Sequence, residues 1–440
     1  MPKPRGQIER IEGLRAEMEA LGKTLQRQAR RPFVLEITGT PKAGKTTLIT
    51  LLDGFLRQCG WKVHVLAERA GECQLPMKGH FFFNTWTTGT MLAGLLDAID
   101  RDLDIIILDR GLFDALVWLR LQASQRQVSG VEASTFENFV LLDRWRMLTD
   151  TTLVLETSPE TAMARETARR LLPRRGSVMN QGRLREFNGV LREARRRHGQ
   201  SFKILEVRND GDAPAGAIKL VQALAKQARA WADPEIAVVP VMAAEELLKE
   251  TATGWTSSLW QKIASSVSYR RRSTVEEDDN WVQLLACGTQ VYGNEVFLSI
   301  RRRERGRAPS SRDDTGRVWQ GCHVEKSQRT LTRAELAAQL RKRLQTDLHL
   351  GDLRSKPHPL GFIWTPNGKE TRHLGIMFKV PLEARVADFL DEKEFRTNGR
   401  GHTLKSSFVS RNELTPDKVR AARYALEDWS LELLAKNWVP

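Results

Sequence analysis

The chain has 440 residues, of which 41% are hydrophobic and 28% charged, and its 69 Lys and Arg against 54 Asp and Glu give a net charge of +15. A chain longer than about 250–300 residues exceeds one hydrophobic core, so we expect two domains. The basic balance favours polyanionic partners such as nucleotides, nucleic acid or an acidic membrane surface. The four cysteines are far apart and form no CxxC pair, so the sequence indicates neither a disulfide framework nor a zinc site. No apolar run has the length of a membrane span, so a soluble cytoplasmic protein is expected.

The first predicted element is an amphipathic helix over residues 7–30. Its apolar residues recur at three- and four-residue spacing from Ile8 to Leu25. The helix either packs on the domain that follows it or forms a dimerising coiled-coil arm, and a length of about three heptads favours packing. We assign it to a segment of its own, residues 1–31.

From Arg31 to about Trp231, short β-type runs alternate with helical stretches, which predicts an α/β domain with a parallel sheet and helices on both faces. The predicted strands are Phe33–Thr38, Lys62–Ala67, Ile105–Leu108, Leu153–Glu156 and Lys203–Val207. The predicted helices are Thr46–Gln58, Thr88–Arg101, Asp114–Gln122, Thr135–Thr149, Pro159–Arg170 and Pro214–Trp231. Asp233-Pro234 indicates a boundary, beyond which the sequence is β-rich with long polar loops.

A glycine-rich loop lies between the first predicted strand and the first predicted helix of this domain. It reads Gly39-Thr40-Pro41-Lys42-Ala43-Gly44-Lys45-Thr46, the pattern Gly-x4-Gly-Lys-Thr. In this context the motif binds ATP, because backbone N–H groups and the helix N-terminus face the β-phosphate. Lys45 is then expected over the β- and γ-phosphates and the Thr46 hydroxyl on Mg²⁺, with Thr47 completing the site.

A carboxylate at the end of another strand supports the same interpretation. The apolar run Ile105–Leu108 is followed by Asp109-Arg110-Gly111. At the carboxyl edge of an open α/β sheet such an Asp lies beside Mg²⁺, so Thr46 and Asp109 are the predicted metal ligands. The alternative is that Asp109 and Arg110 are surface residues at a strand end.

The order of these motifs resembles that of the thymidylate kinase and deoxynucleoside kinase group over about residues 32–231. The motifs are the glycine-rich loop, Glu68-Arg69 after the second strand, Asp109-Arg110-Gly111, the strand and Ser-Pro-Glu in Leu153–Glu160, and an arginine-rich segment. The resemblance implies a P-loop kinase domain at residues 32–233 that transfers the γ-phosphoryl group of ATP to a nucleotide or (deoxy)nucleoside. Two motifs depart from thymidylate kinases: Glu68-Arg69-Ala70-Gly71 replaces Arg-Glu-Pro-Gly, and Asp-Arg-Gly replaces Asp-Arg-aromatic.

The resemblance also assigns the acceptor site. Glu68 orients or deprotonates a sugar hydroxyl if the acceptor is a nucleoside, and only positions the acceptor if it is a monophosphate. Arg69 and Arg110 are placed to clamp an acceptor phosphate. Trp86 ends the aromatic run Gly79–Trp86, which we expect to precede a helix, and is a candidate for stacking on the base. The alternative for that run is core packing.

The basic segment Arg165–Gly176 is the predicted lid. Arg174 and Arg175 are expected to close onto the transferring phosphoryl group and exclude water. The alternative is a solvated helix face that ends in a turn at Pro173. The predicted catalytic set is then Lys45, Glu68, Asp109, Arg110, Arg174 and Arg175.

Residues 235–440 resemble a Nudix hydrolase domain, an α+β fold. The resemblance rests on Trp281–Ile300, Gly321–Glu325, Leu344–Leu350, His373–Phe378 and Leu426–Ser430. An active Nudix helix reads Arg-Glu-x-x-Glu-Glu and its glutamates bind Mg²⁺. The aligned residues here are Lys342, Arg343, Thr346 and Asp347. We therefore expect a Nudix-like domain without hydrolase activity, in which Arg301, Arg302 and Arg303 contact the phosphate of a nucleotide-like ligand; the alternative is a structural or dimerising module.

Three functions follow from the sequence. The favoured one is a Mg²⁺-dependent kinase that uses ATP to phosphorylate a nucleoside or nucleotide, with the second domain sensing a ligand or holding a homodimer. A polynucleotide 5′-kinase is the first alternative, because the excess positive charge suits a phosphate backbone. A non-catalytic ATP-binding switch in a regulatory or defence pathway is the second.

Overall fold

The structure is a computed structural model of the chain. It describes residues 5–28, 31–75, 80–99, 101–168, 180–249, 252–300, 315–327, 331–347, 356–364, 373–383, 407–415, 418 and 425–439. The chain divides into two compact units, Met1–Ala232 and Asp233–Pro440. None of the helices in these described ranges is both long enough and apolar enough to cross a membrane.

Unit 1 is built on a parallel sheet. Its described strands are β1 Phe33–Gly39, β2 Val63–Leu66, β3 Ile105–Asp109, β4 Thr151–Glu156 and β5 Ile204–Arg208. Its described helices are α1 Arg5–Gln28, α2 Lys45–Gln58, α3 Phe81–Ile99, α4 Leu112–Ser124, α5 Gly130–Val140, α6 Asp143–Arg146, α7 Pro159–Ala168, α8 Gln181–His198 and α9 Ala213–Ala232. The strand order is β2-β3-β1-β4-β5, and every pairing is parallel. This arrangement fits a P-loop NTPase-like fold.

The central strand β1 is buried along its whole length, because helices cover both faces of the sheet. Leu35 and Ile37 lie in a core with α1, α2 and α9. Val34, which points to the opposite face, lies in a second core with α3. The apolar stripe of α1 is part of the first core, and the Trp61 indole Nε1 donates to the Met18 carbonyl at 2.8 Å. The amphipathic stripe of α1 therefore packs on unit 1.

Each predicted strand of unit 1 overlaps a strand of the structure, but three helices differ from the sequence predictions. The helix expected from Thr88 begins at Phe81, so the aromatic run lies in its first turns instead of preceding it. Threonine has a low helix propensity, so the sequence pattern gives no helix start here. Within the folded helix the threonine hydroxyls donate to backbone carbonyls four residues earlier. The helix expected over Thr135–Thr149 is two helices, α5 and α6, with α5 starting earlier at a Ser129 capping box. Helix α8 was not predicted.

Unit 2 is built on a mixed sheet. Its described strands are β6 Glu235–Pro240, β7 Ala252–Gly254, β8 Ser268–Arg271, β9 Trp281–Tyr292, β10 Glu295–Ile300, β11 Thr315–Arg317, β12 Gln320–His323, β13 His358–Trp364, β14 His373–Pro381, β15 Ser407–Ser410 and β16 Ala425–Leu426. Its described helices are α10 Val241–Leu247, α11 Ser257–Ser265, α12 Arg272–Val275, α13 Arg333–Asp347 and α14 Asp428–Ala435. The long strand β9 is antiparallel to β6, β10 and β12 and parallel to β14. Cores that include α13 and α14 residues cover the sheet, consistent with an α+β domain.

Candidate active site

The glycine-rich loop, residues 39–46, turns sharply at two glycines. Gly39 has φ +135° and Gly44 has φ +92°, conformations that side chains disfavour. A Cβ atom at residue 39 would lie 1.9 Å from the Leu155 carbonyl oxygen, and one at residue 44 would lie 3.0 Å from Asn209 Nδ2. Residue 39 therefore requires glycine both for steric reasons and for its backbone angle, whereas at residue 44 the positive φ is the main requirement.

Two buried asparagines hold the loop from behind. Asn209 follows β5, and its Nδ2 donates to the Ala43 carbonyl at 2.6 Å. Asn188 lies in α8, and its Oδ1 accepts a hydrogen bond from Thr40 Oγ1 at 2.7 Å. Neither residue is among the site residues predicted from the sequence. The only sequence signal for Asn188 is an amide on the apolar side of an amphipathic helix. That helix, α8, is not among the elements predicted from the sequence.

Helix α7 clamps the exposed side of the loop. Lys42, at φ +62°, forms an ion pair with Glu166, with 2.7 Å between Nζ and Oε2. Arg165 donates from Nη2 to the Gly211 carbonyl at 2.8 Å and from Nη1 to the Lys42 carbonyl at 3.4 Å. The first residues of the predicted lid therefore belong to α7 and are bonded to the glycine-rich loop.

Lys45 begins α2 and lies beneath the loop. Its Nζ donates to the Gly39 carbonyl at 2.9 Å and to the Thr40 carbonyl at 3.0 Å. Burial, followed by repulsion from Arg110, lowers the pKa of Lys45 to about 7. An anion bound over the loop would favour the charged form of this amine.

Thr46 and Asp109 meet at the carboxyl edge of the sheet. Thr46 Oγ1 lies 3.4 Å from Asp109 Oδ2. The other oxygen, Asp109 Oδ1, is buried and accepts no hydrogen bond from any described residue. Burial raises the pKa of Asp109, whereas the charges of Arg110 and Lys45 lower it. A buried carboxylate oxygen without a donor, next to a hydroxyl, is a donor set that suits a hard cation such as Mg²⁺.

Arg110 links the ends of β2 and β3. It adopts φ +72°, and its Nε lies 2.9 Å from Glu68 Oε1 while Nη1 lies 3.3 Å from Asp114 Oδ2. Its guanidinium also lies 6.0 Å from the centre of the Trp118 ring. Burial alone would lower the pKa of Arg110, but Asp114 and Glu68 raise it. The arginine is thus held between two carboxylates.

Glu36 lies in the middle of β1 and is fully buried. Its two carboxylate oxygens accept from the backbone N–H groups of Gly111 at 2.9 Å, Phe113 at 3.1 Å and Asp114 at 2.9 Å. A Cβ atom at residue 111 would lie 2.6 Å from Glu36 Cδ, so Gly111 is required by this contact. Burial raises the pKa of Glu36 to about 7, although these N–H groups lower it. Glu36 is not among the residues predicted from the sequence; its sequence signal is a charged residue inside an apolar strand.

The remaining predicted acceptor residues do not join this group. Arg69 is exposed, with Nε 3.9 Å from Glu72 Oε2, and lines a separate cavity of about 330 Å³ with His64, Asp97 and Arg101. Trp86 is half-buried in α3. Arg174 and Arg175 of the predicted lid, and Arg301, Arg302 and Arg303, lie outside the described residues.

The Nudix-like motif of unit 2 falls on the end of α13. Leu336, Leu340 and Leu344 pack into the core on one side of the helix, and Lys342 is exposed. The side chains of Thr346 and Asp347 lie outside the described set. Across the described ranges of both units, no cluster of three or more His, Cys, Asp or Glu residues has metal-binding geometry.

Comparisons with known proteins complete the description. No protein-family model and no curated protein matches the chain. The deoxyadenosine kinase from M. mycoides with bound dCTP is 17% identical, covers 44% of this chain and 100% of its own, and gives a TM-score of 0.35. The same kinase with dCMP and dCDP is 18% identical, covering 44% and 99%, with a TM-score of 0.35. Tm1382, named as a candidate Nudix hydrolase, is 17% identical, covering 46% and 96%, with a TM-score of 0.34. Structural neighbours thus include deoxyadenosine kinases and a Nudix hydrolase, each over about 45% of the chain.

Proposed function

We propose that unit 1 is an ATP-dependent phosphotransferase whose acceptor is a nucleoside or nucleotide. The observation that carries this proposal is the meeting of Lys45, Thr46 and Asp109 beneath the glycine-rich loop. A loop with two glycines at positive φ, a buried lysine and a carboxylate oxygen without a donor would together bind a metal-complexed triphosphate.

In the proposed complex, the loop N–H groups and the N-terminus of α2 bind the β-phosphate. Lys45 contacts the β- and γ-phosphates, exchanging its bonds to the Gly39 and Thr40 carbonyls for phosphate oxygens. Thr46 and Asp109 would hold Mg²⁺, which supplies neutralisation of the charge on the phosphates. The donor-free Asp109 Oδ1 supports this assignment, because a buried carboxylate oxygen is costly without a partner.

The charges around Arg110 favour a neutral hydroxyl over a phosphate as the acceptor. Arg110 is already paired with Glu68 and Asp114, and Asp109 is close by. A phosphate entering here would meet the carboxylates of Glu68, Asp114 and Asp109, whose repulsion opposes the attraction of Arg110. A hydroxyl would instead donate to Glu68, whose side chain is partly exposed. The hydroxyl proton then passes to Glu68, the oxygen bonds to the γ-phosphorus, and ADP leaves.

A radiolabelled ATP assay of the full chain over common nucleosides and nucleoside monophosphates tests the proposal. We expect phosphorylation of at least one nucleoside, and its loss in Lys45→Ala. Phosphorylation of monophosphates alone would contradict the hydroxyl acceptor, and phosphorylation of no compound would contradict the small-molecule kinase. ATP binding without transfer would favour the regulatory switch.

One observation favours a polynucleotide acceptor as a second candidate. Arg185, Arg192 and Arg196 are exposed on one side of α8. At 1.5 Å per residue they extend over about 16 Å of the helix, enough to follow several phosphates of a strand. Oligonucleotide binding that weakens steeply with salt, and less steeply in Arg192→Ala, would support this candidate; a flat salt dependence would contradict it.

A further inference from the structure

Two polar residues, Glu36 and Thr38, lie on one face of the otherwise apolar strand β1, and a third, Thr40, directly follows the last residue of the strand. Glu36 and Thr38 alternate with Leu35 and Ile37, so their side chains point to the same side of the sheet. All three are fully buried. A buried polar group is stable only when it is hydrogen-bonded, so the partners of these residues are specified by the fold.

The first two of these residues bond to the start of α4. Glu36 accepts from three N–H groups of residues 111–114, and Thr38 Oγ1 donates to Asp114 Oδ1. Thr40 instead bonds to Asn188 in α8. Apart from a 3.4 Å hydrogen bond that Thr152 Oγ1 donates to Glu36 Oε2, the contacts of Glu36 and Thr38 are therefore directed at the start of α4 and are separate from those that hold the glycine-rich loop.

The backbone between β3 and α4 is fixed on both sides of Arg110. The Arg110 N–H donates to the Ile37 carbonyl at 3.0 Å, and the next N–H, that of Gly111, donates to Glu36. Between these bonds Arg110 has φ +72°. A non-glycine residue keeps such a conformation only where its surroundings enforce it, and such positions concentrate at functional sites.

The side chain of Arg110 is fixed through the same residues. Thr38 holds one oxygen of Asp114, the other oxygen of Asp114 lies 3.3 Å from Arg110 Nη1, and Arg110 Nε lies 2.9 Å from Glu68. A chain of contacts thus connects Thr38 on β1, through Asp114 and Arg110, to Glu68, the proposed proton acceptor.

We propose that Glu36 and Thr38 are positioning residues for the acceptor site, holding Arg110 and, through it, Glu68. The inference rests on the proposed function. The proposal separates two roles. Glu36 and Thr38 set the geometry of the acceptor site, whereas ATP affinity depends on Lys45 and on the glycine-rich loop with the two asparagines that hold it.

Thr38→Val tests the side-chain contact with little change in shape. Thr151→Val is the matched control, since Thr151 is a buried threonine on the neighbouring β4 whose hydroxyl has no hydrogen-bond partner in the described chain. We expect Thr38→Val to lower kcat/KM for the acceptor about tenfold, as for loss of one hydrogen bond to a carboxylate. The Kd for ATP should stay within about twofold, and Thr151→Val should change neither. Equal losses in ATP affinity and acceptor turnover, or no loss in turnover, would overturn the proposal.

Glu36→Gln tests the backbone contact by amide hydrogen exchange. Gln offers one acceptor oxygen instead of two, so we expect faster exchange confined to a peptide covering residues 110–115, with ATP affinity kept. Faster exchange throughout unit 1 would overturn the positioning role. Exchange in the peptide covering residues 110–115 that is no faster than in Thr151→Val would also overturn it. If the wild type phosphorylates nothing, the proposed function fails, but the exchange result still decides whether Glu36 holds Arg110.

Discussion

Thr46 and Asp109 are 63 residues apart in the chain, yet Thr46 Oγ1 lies 3.4 Å from Asp109 Oδ2. The parallel register of β1 and β3 places Asp109 beside Ile37, two residues before the glycine-rich loop begins. The loop then returns Thr46 to the same edge in the first turn of α2. The sheet topology therefore builds the proposed metal and phosphate site from two separate segments.

Asp109→Asn should abolish the contribution of Mg²⁺ to ATP affinity, because an amide oxygen is a weaker ligand for a hard cation than a carboxylate. Calorimetric titration of ATP with Mg²⁺ and with EDTA measures that contribution. We expect Mg²⁺ to tighten binding to the wild type at least tenfold and to the variant less than about twofold. Asp97→Asn, an exposed carboxylate in α3, is the control and should behave as wild type. A variant that keeps the full Mg²⁺ effect would contradict Asp109 as a ligand.

Asn209→Ala should weaken ATP binding without a change at the acceptor site. Its Nδ2 donates to the Ala43 carbonyl at 2.6 Å, and loss of one buried hydrogen bond costs about 1–3 kcal/mol. Part of this free-energy cost lowers the melting temperature of the free protein, and part weakens ATP binding. Thermal denaturation separates the two, because the melting temperature without ATP reports stability and the increase on adding ATP reports affinity. The prediction is wrong if the shift that ATP produces equals that of the wild type.

Glu36 should make stability depend on pH between about 7 and 4.5. Its pKa is raised from 4.5 in the unfolded chain to about 7 in the fold, chiefly by burial. The native state therefore takes up a proton first as the pH falls, so this residue's contribution to stability increases from pH 7 towards pH 4.5 and is lost again above pH 7. The full effect is about 3 kcal/mol.

The stability of the wild type relative to Glu36→Gln isolates this effect, because Gln does not titrate. Asp114 is the titratable neighbour of Glu36 and is present in both proteins. We expect urea denaturation to show that the free energy of unfolding of the wild type, relative to that of the variant, is larger at pH 5 than at pH 8. A difference that is constant over this range would contradict the raised pKa.

The sequence predicts the strands of unit 1 well and the contacts of the site poorly. Runs such as Ile105–Leu108 are continuously apolar, which suffices to identify a doubly covered strand. Helix α8 is absent from the sequence predictions, which place no element between the basic segment ending at Gly176 and the strand Lys203–Val207, although Leu184, Phe187, Leu191 and Ala194 follow helical spacing and are buried. The contact between Asn188 of this helix and Thr40 is a tertiary contact that the local sequence pattern does not encode.

The acceptor group illustrates the same limit. Glu68 and Arg110 were chosen from motif order, and the structure brings them together with Asp114, which had been given no role. Arg69 was expected at the acceptor by its position next to Glu68, but the short helical turn at residues 69–71 directs it to another cavity. Neighbours in sequence at the end of a strand point in different directions, and only the fold decides which one faces the site.

Unit 2 should not hydrolyse nucleoside diphosphate derivatives. Arg343 and Thr346 occupy positions where an active Nudix helix has metal-binding glutamates, and the cation at residue 343 opposes Mg²⁺ binding. The full chain, incubated with Mg²⁺ and a panel of such compounds, should give no turnover. Lys45→Ala serves as the control that removes any contribution of unit 1. Turnover that persists in Lys45→Ala would contradict the prediction.

Calorimetric titration of the full chain with ATP and Mg²⁺ tests the central claim most directly. The wild type should bind one ATP, Lys45→Ala should bind at least about a hundredfold more weakly, and Lys62→Ala, which removes an exposed lysine after α2, should bind as the wild type. Absence of ATP binding by the wild type, or equal binding by the wild type and Lys45→Ala, would contradict the account.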